Sequence, residues 1–589
     1  MKRQEINEKY KWNTEEIFES EADFYAAVKE CESALDFKEF KGKLNTVENV
    51  KRCYDKLYAC DLKLEVIAVY AMMKKDENGE DRKGIEFDAA ADNLFLKFSS
   101  ETSFIDPEIT ALDDDTLDKF VNSEELAPYK RDLKRLIEFK PHILSAESEK
   151  LLALGGKVFG GYRNVFSMIN NVDLDCPTIK ADGKDVKVTS ATFSVLLQNP
   201  DKKVREEAFK AYYGAFRKVL NTITEVYHGN VEKDVFLSRA RKFGSCIDSA
   251  LFSEEVDKKV YLQLLESVNE ALPLVHKYVN LRKKIMGGEI HMYDMYVPLV
   301  KGAELALDYE DAFGVVLEGL APLGEDYLNT LRRAHDERWI DVYENDGKRG
   351  GAYSVCVYGL KHPYVLLNHT KTTHALFTIA HELGHAMHSY KSDAAQPQQT
   401  ADYKIFVAEV ASTVNEILLC KYLIKNAKDR DTKKYLLTYY MDTIRTTLFR
   451  QTMFAEFEYF AHDLIENGGA ASKEAFNEKY LCLNKKYYGD GVIHDDEISF
   501  EWARIPHFYT AFYVYKYATG IISAIAIAER ILSGTPDAVE DYFKFLSSGS
   551  SDTPVNLLKI TGVDLTEKAA YDLAMKSFEN ALSEFEKLL

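Results

Sequence analysis

Apolar residues recur at three- and four-residue intervals between charges over most of this chain, the spacing that lines one face of an α-helix. The pattern predicts helices over 19–34, 44–72, 85–99 and 144–154, then over 201–229 and 255–286. In the first 200 residues Pro107, Pro128, Pro141, Pro177 and Pro200 sit at breaks in it. Residues 185–192 are the first short segment of strand or loop character, and a soft boundary near 190 separates an N-terminal helical region (1–190) from a second region (191–589). The texture changes again at 289–300 and between 339 and 368. There a glycine-rich turn, 347–354, feeds Val355-Cys356-Val357-Tyr358, and a second β-rich run covers 362–368. Two such runs around a turn predict a hairpin or small sheet. A helix follows from about Thr372, and another covers 403–419. The fold class expected is mainly α with a small β-sheet.

Composition narrows this only a little. With 589 residues, 46% hydrophobic and 29% charged, the chain has the make-up of a soluble globular protein with room for large cores. A net charge of −20 argues against a uniform nucleic-acid-binding surface. The N-terminus runs straight into charged sequence and no run approaches the roughly 18 apolar residues of a membrane span, so neither a secretory leader nor a membrane partner is expected. Eight scattered cysteines without a CxxC pair predict mostly packed thiols in a reducing compartment. The 36 tyrosines exceed ordinary core needs, and a polar-tipped ring also suits the wall of a peptide groove.

The candidate chemistry lies in His381-Glu382-Leu383-Gly384-His385. Positions i and i+4 share one helix face, so the two imidazoles can converge on one zinc ion. Glu382 points about 100° around the helix, where it can address a water instead of the metal. Hydrolytic zinc needs a third protein ligand. Glu409 lies 24 residues after His385, far enough for a loop and a second helix packed on the first. Glu416, two turns on, is a candidate acceptor for a ligand imidazole N–H. His388 shares the face of His381 but sits roughly 10.5 Å along the axis, too far to join the same ion. Position 391 is Lys391, so a longer pattern with a third histidine fails. His362, His369 and His374 read as ordinary packed or exposed histidines. The carbonyl under attack develops an oxyanion that needs further donors. The best source is the stretch 501–520, where His507 and the tyrosines Tyr509, Tyr513, Tyr515 and Tyr517 fall within eleven residues.

These elements together resemble the oligoendopeptidase F branch of the thimet-oligopeptidase-like (M3) zinc metallopeptidases. The matching segments are 381–389, 406–416, the glycine-rich Gly350-Gly351-Ala352-Tyr353-Ser354, and 505–520; the general resemblance extends over nearly the whole chain. It implies a large, elongated zincin-type helical body with a deep channel, one zinc ion per chain, and cleavage inside short unstructured oligopeptides in the cytoplasm. Carried over by residue, His381, His385 and Glu409 are ligands and Glu382 is the base. His507 and Tyr515, with Tyr513 beside them, serve the intermediate. Gly351, Ala352, Tyr353 and Tyr509 contact substrate. The aromatic segment departs from the family pattern of two tyrosines seven apart, because the seventh residue after Tyr509 is Lys516 and the seventh before Tyr515 is Phe508. Two rival readings are a zinc exopeptidase, with Arg349 or Arg504 gripping a terminal carboxylate, and a peptide-binding protein without activity. Oligomeric state is not encoded in any pattern found.

Overall fold

The computed structural model describes residues 1–300 and 302–589 and is mostly helical, with a two-stranded and a three-stranded sheet among them. The chain forms two compact units, each built from three segments. The first comprises Met1–Pro141, Leu305–Tyr422 and Arg530–Gly562; the second comprises His142–Glu304, Leu423–Glu529 and Val563–Leu589. Residue 190 lies inside the second unit. Local composition does not mark the crossings, because two of them fall within continuous helices, Ile405–Lys425 and Tyr515–Leu532.

In the first unit, Val47–Glu77 and Arg82–Thr102 are long helices joined by a four-residue turn. Thr46 and Asp81 cap them, each accepting a backbone N–H from the first turn, which starts the helices where the sequence offers an oxygen. Their apolar faces close over Phe24, Tyr70 and Phe87. The small sheet places Tyr364–Leu366 in the centre, parallel to Ile340–Asp341 and antiparallel to Tyr353–Val355. Alternation puts Tyr364 and Leu366 on one face, against Trp12, Val69 and Met73, with Tyr353 and Val355 alongside. Tyr353–Val355 is an edge strand, half-buried, with one side of its backbone unpaired in the sheet. The expected hairpin is therefore present, widened by a strand too short to read from sequence.

In the second unit the longest helix, Lys202–Ala240, starts at its cap Asp201 and packs on Arg450–Glu466. The helix expected over 255–286 is two helices, Lys258–Glu270 and Leu272–Met286. Pro273 divides them, since it has no N–H to continue the ladder but suits a first helical turn. Of the strand-like segment 185–192, only the first part pairs. Lys184–Lys187 folds back on Thr178–Ala181, and Thr189 then caps a short helix, Ser190–Leu196.

Candidate metal centre and active site

Two helices of the first unit build the centre. Thr372 accepts the N–H of Ala375 and starts Thr373–Ala395, which carries both histidines. Ile405–Lys425 carries Glu409 and Glu416. The helices touch backbone to backbone at Gly384: a Cβ there would lie 2.5 Å from Ser412 Cα and 2.6 Å from the Ala411 carbonyl oxygen. The glycine between the two histidines thus sets how near Glu409 can come. Asn415 fixes the pair by donating from Nδ2 to the Ala380 carbonyl (3.0 Å) while Tyr327 donates to its Oδ1 (3.0 Å).

The result is a triangle of donor atoms. His381 Nε2 and His385 Nε2 are 3.2 Å apart, and Glu409 Oε2 lies 3.4 Å from the first and 3.5 Å from the second. Ligands about 2.1 Å from a tetrahedral zinc are separated by about 3.4 Å, so the set fits the ion without rearrangement. Two neutral nitrogens and one carboxylate are also the donor chemistry of a hydrolytic zinc site with an open position. His381 Nδ1 is 2.5 Å from Glu416 Oε1, which holds the imidazole with Nε2 facing the triangle. Burial alone would raise the Glu409 carboxyl, but hydrogen bonds from both histidines hold it below the usual carboxylate range. Glu382 is 6% exposed and has no hydrogen-bond partner among the described residues. Burial pushes its carboxyl upward against the pull of the two histidines, which makes it a better proton acceptor than an exposed glutamate.

The other histidines stay out. His388 is buried and stacked on Tyr403 at 3.7 Å, and burial pushes it down to about 3. His362 stacks on Trp339, His369 Nε2 is 3.3 Å from the Leu307 carbonyl oxygen, and His374 is exposed.

The glycine-rich loop enters the edge strand through Gly351, at φ +87°, a conformation L side chains avoid. Ala352 and Tyr353 follow it half-buried. Two residues with no local signature hold this loop. Asn368 Nδ2 donates to the carbonyls of Arg349 (2.9 Å) and Gly351 (2.8 Å), and Asp76 accepts from the Tyr353 hydroxyl (2.9 Å) and pairs with Arg349 (3.2 Å). Only the tertiary fold brings Asp76, on a helix nearly 280 residues away in sequence, to this point.

The aromatic segment lies in the second unit. His507 is half-buried and stacks on Tyr513, with ring centroids 6.1 Å apart; its Nε2 is 3.4 Å from the Tyr517 hydroxyl. Tyr515 turns the other way. It is fully buried, edge-on to Tyr261 at 5.2 Å. Tyr509 is buried too, stacked on Phe166 at 4.3 Å, and its hydroxyl has no hydrogen-bond partner among the described residues. The helix begins at Tyr515, so Tyr513 precedes it and Tyr517 comes half a turn in. Tyr513 and Tyr517 therefore flank His507, while the ring of Tyr515 packs into the core.

A mainly helical fold with two histidines and a glutamate converging beside a free, buried glutamate defines a zinc-dependent metallopeptidase. Comparisons agree over the full length. Residues 195–577 match the peptidase family M3 and residues 108–175 match oligopeptidase F. Oligopeptidase PepF of Bacillus subtilis is 40% identical over all of this chain and 88% of its own length. A crystal structure of oligoendopeptidase-F from Enterococcus faecium superposes with a TM-score of 0.74 at 33% identity, covering 98% of this chain and 99% of that one. A crystal structure of a peptidase from Chlamydophila abortus gives a TM-score of 0.94 at 31% identity over 100% of both chains. The chain belongs to peptidase family M3, in its oligoendopeptidase F branch.

Proposed function

We propose that the chain is a cytoplasmic oligoendopeptidase that holds one zinc ion and cuts internal bonds of short, unstructured peptides. The observation that carries this reading is the donor triangle of His381, His385 and Glu409 with Glu382 beside it. When bound, the ion supplies a Lewis acid for the scissile carbonyl and brings the pKa of a water toward neutrality. Glu382 takes the proton of the attacking water onto its carboxylate and passes it to the departing amine. His507 and Tyr513 donate hydrogen bonds to the oxyanion; Tyr513 takes the role over Tyr515 because its ring is accessible beside the imidazole. The edge strand Tyr353–Val355, led in by Gly351 and Ala352, pairs with an extended substrate backbone. Tyr509 shapes the aromatic wall from behind, through its ring. Arg349, which would grip a terminus in an exopeptidase, is paired internally with Asp76. No helix among the described residues is long and apolar enough to cross a membrane. The test is mass spectrometry of products from a peptide library blocked at both ends, beside a folded protein and its unfolded form. Internal cuts confined to short peptides support the reading; efficient digestion of the folded protein, or no cuts in blocked peptides, overturns it.

A further inference from the structure

The second unit contains a cavity of about 340 Å³ whose walls include Phe193, Leu197, Phe209 and Met292 and whose charged lining is Arg450, Glu501 and Arg504. Glu501 is buried and accepts five hydrogen bonds: from Arg450 Nη1 (3.2 Å) and Nη2 (2.7 Å), Arg504 Nη2 (2.7 Å), Tyr213 (3.0 Å) and Tyr480 (2.6 Å). A carboxylate has about four lone-pair sites, so Glu501 is saturated. Neither arginine has a second ion-pair partner among the described residues, which leaves two guanidinium charges against one carboxylate. Arg450 Nε and Arg504 Nη1 likewise have no hydrogen-bond partner there. Arg504 sits among the rings of Phe193, Tyr212 and Tyr213, with its guanidinium carbon 5.7–6.0 Å from their centroids, and its Nε donates to the Tyr213 hydroxyl (3.1 Å), so its position is fixed by packing. The cluster thus carries one net positive charge at the cavity wall, which an anion entering the cavity can neutralise.

We propose that this cavity binds a small carboxylate carried on an apolar body, the chemistry that the C-terminal end of a short peptide presents. The arginines take the carboxylate where Glu501 has no capacity left, and the apolar walls take the side chain. Phosphate or sulfate fits poorly, because its remaining oxygens would face Phe193, Leu197 and Met292. The mouth is marked by Ser190, Ser194 and Gln198, which line the cavity and are exposed. None of these residues belongs to the zinc cluster, so the site stands or falls independently of the peptidase mechanism.

The test is calorimetric titration of the zinc-loaded full chain with N-acetylphenylalanine and with its amide. The acid is expected to bind one to one, with the amide weaker by at least about tenfold, because a site built on charged donors rejects an analogue that cannot satisfy them. Arg504→Gln leaves Arg450 and Glu501 matched and should cost the acid at least about tenfold. Ser194→Trp, at the exposed rim, should abolish binding by obstruction and keeps the test open if Arg504→Gln folds poorly. Equal binding of acid and amide, binding unchanged in both variants, or no binding of the acid overturns the proposal. Two hydrolysis arms distinguish the source of the carboxylate. If it is the substrate's own end, a peptide acid has a lower KM than its amide and the gap closes in Arg504→Gln. If it is a separate small acid, N-acetylphenylalanine changes turnover of a peptide blocked at both ends, and Arg504→Gln removes the change.

Discussion

The metal centre and the aromatic segment are built on opposite kinds of backbone. His381, His385, Glu409 and Glu416 stand on two regular helices, where a residue's number fixes its direction. His507 and Tyr513 stand on short 3₁₀ turns and a connection that includes Phe512 at φ +51°, a left-handed conformation rare for an aromatic residue. Periodicity works in the first region and fails in the second. What replaces it is a tertiary contact: the buried Glu458 accepts the Phe512 N–H at 2.8 Å and pins the turn that aims Tyr513.

The sharpest way to break the first half of this comparison is Glu382→Gln. It removes the proton acceptor and no ligand, so zinc should stay stoichiometric while kcat falls by about 10³-fold or more. Metal analysis beside single-turnover kinetics checks both parts. Near-normal turnover in that variant would sink the assignment of the base, and zinc loss would show that Glu382 is a ligand.

Glu409→Ala removes a corner of the donor triangle and should weaken zinc binding by more than about 100-fold, whereas His388→Ala should keep the metal, because its ring packs on Tyr403. Gly384→Ala tests the same geometry from the backbone. Its Cβ would meet Ser412 Cα at 2.5 Å, so the helices must separate; a stability loss of about 1–3 kcal/mol and weakened zinc binding are expected. Competition with a chelator ranks the three. Retention of zinc by Glu409→Ala with loss in His388→Ala would show that the third ligand is His388 and not Glu409.

Most of the metal centre is legible in the amino-acid sequence. The helix starting at about Thr372 is announced by its pattern, and the spacing of His381 and His385 carries its own geometry. The Glu409 distance requires only a loop and a return. What escapes depends on contacts between distant segments. Asp76 and Asn368 have no local mark of their work on the glycine-rich loop. The strand Ile340–Asp341 is two residues long. The crossings between the compact units hide inside helices because a continuous helix shows no change of period where its neighbours change. In the aromatic segment, register alone favours Tyr515; its ring belongs to the core with Tyr261.

The second half of the comparison is sharpened by a pair of hydroxyl deletions. Tyr513→Phe should lower kcat by about 10²-fold with little change in KM, since it removes a donor used mainly in the transition state. Tyr515→Phe should leave kcat within about threefold and stability within about 1 kcal/mol of the parent, since its ring packs in the core against Tyr261. The reverse ranking would mean that sequence register, and not side-chain direction, identifies the donor.

The smallest effect concerns Glu458 itself. Burial raises its carboxyl to about 8, against an opposing pull from His462 and the Phe512 N–H; Asp234 and Lys516 also face it, with opposite signs. Its folded value thus lies above the value near 4.5 expected when unfolded, so between those limits the folded state holds the extra proton. The sign follows: this group's contribution to stability falls as pH rises from about 4.5 to about 8, by up to about 1.4 kcal/mol per unit. Glu458→Gln keeps an oxygen for the Phe512 N–H and removes the titration. Its stability relative to the parent should therefore climb between about pH 5 and about pH 7.5, with kcat at about pH 7 changed by less than about threefold. Glu458→Leu removes the acceptor, orphans the N–H and frees the left-handed turn, so it should lose about 1–3 kcal/mol at both pH values and lower kcat through misdirection of Tyr513. Urea unfolding of the three proteins at the two pH values separates these outcomes. Parallel pH dependence in the parent and Glu458→Gln would show that Glu458 is ionised in the folded state, and full activity in Glu458→Leu would show that the turn holds its tyrosine without help.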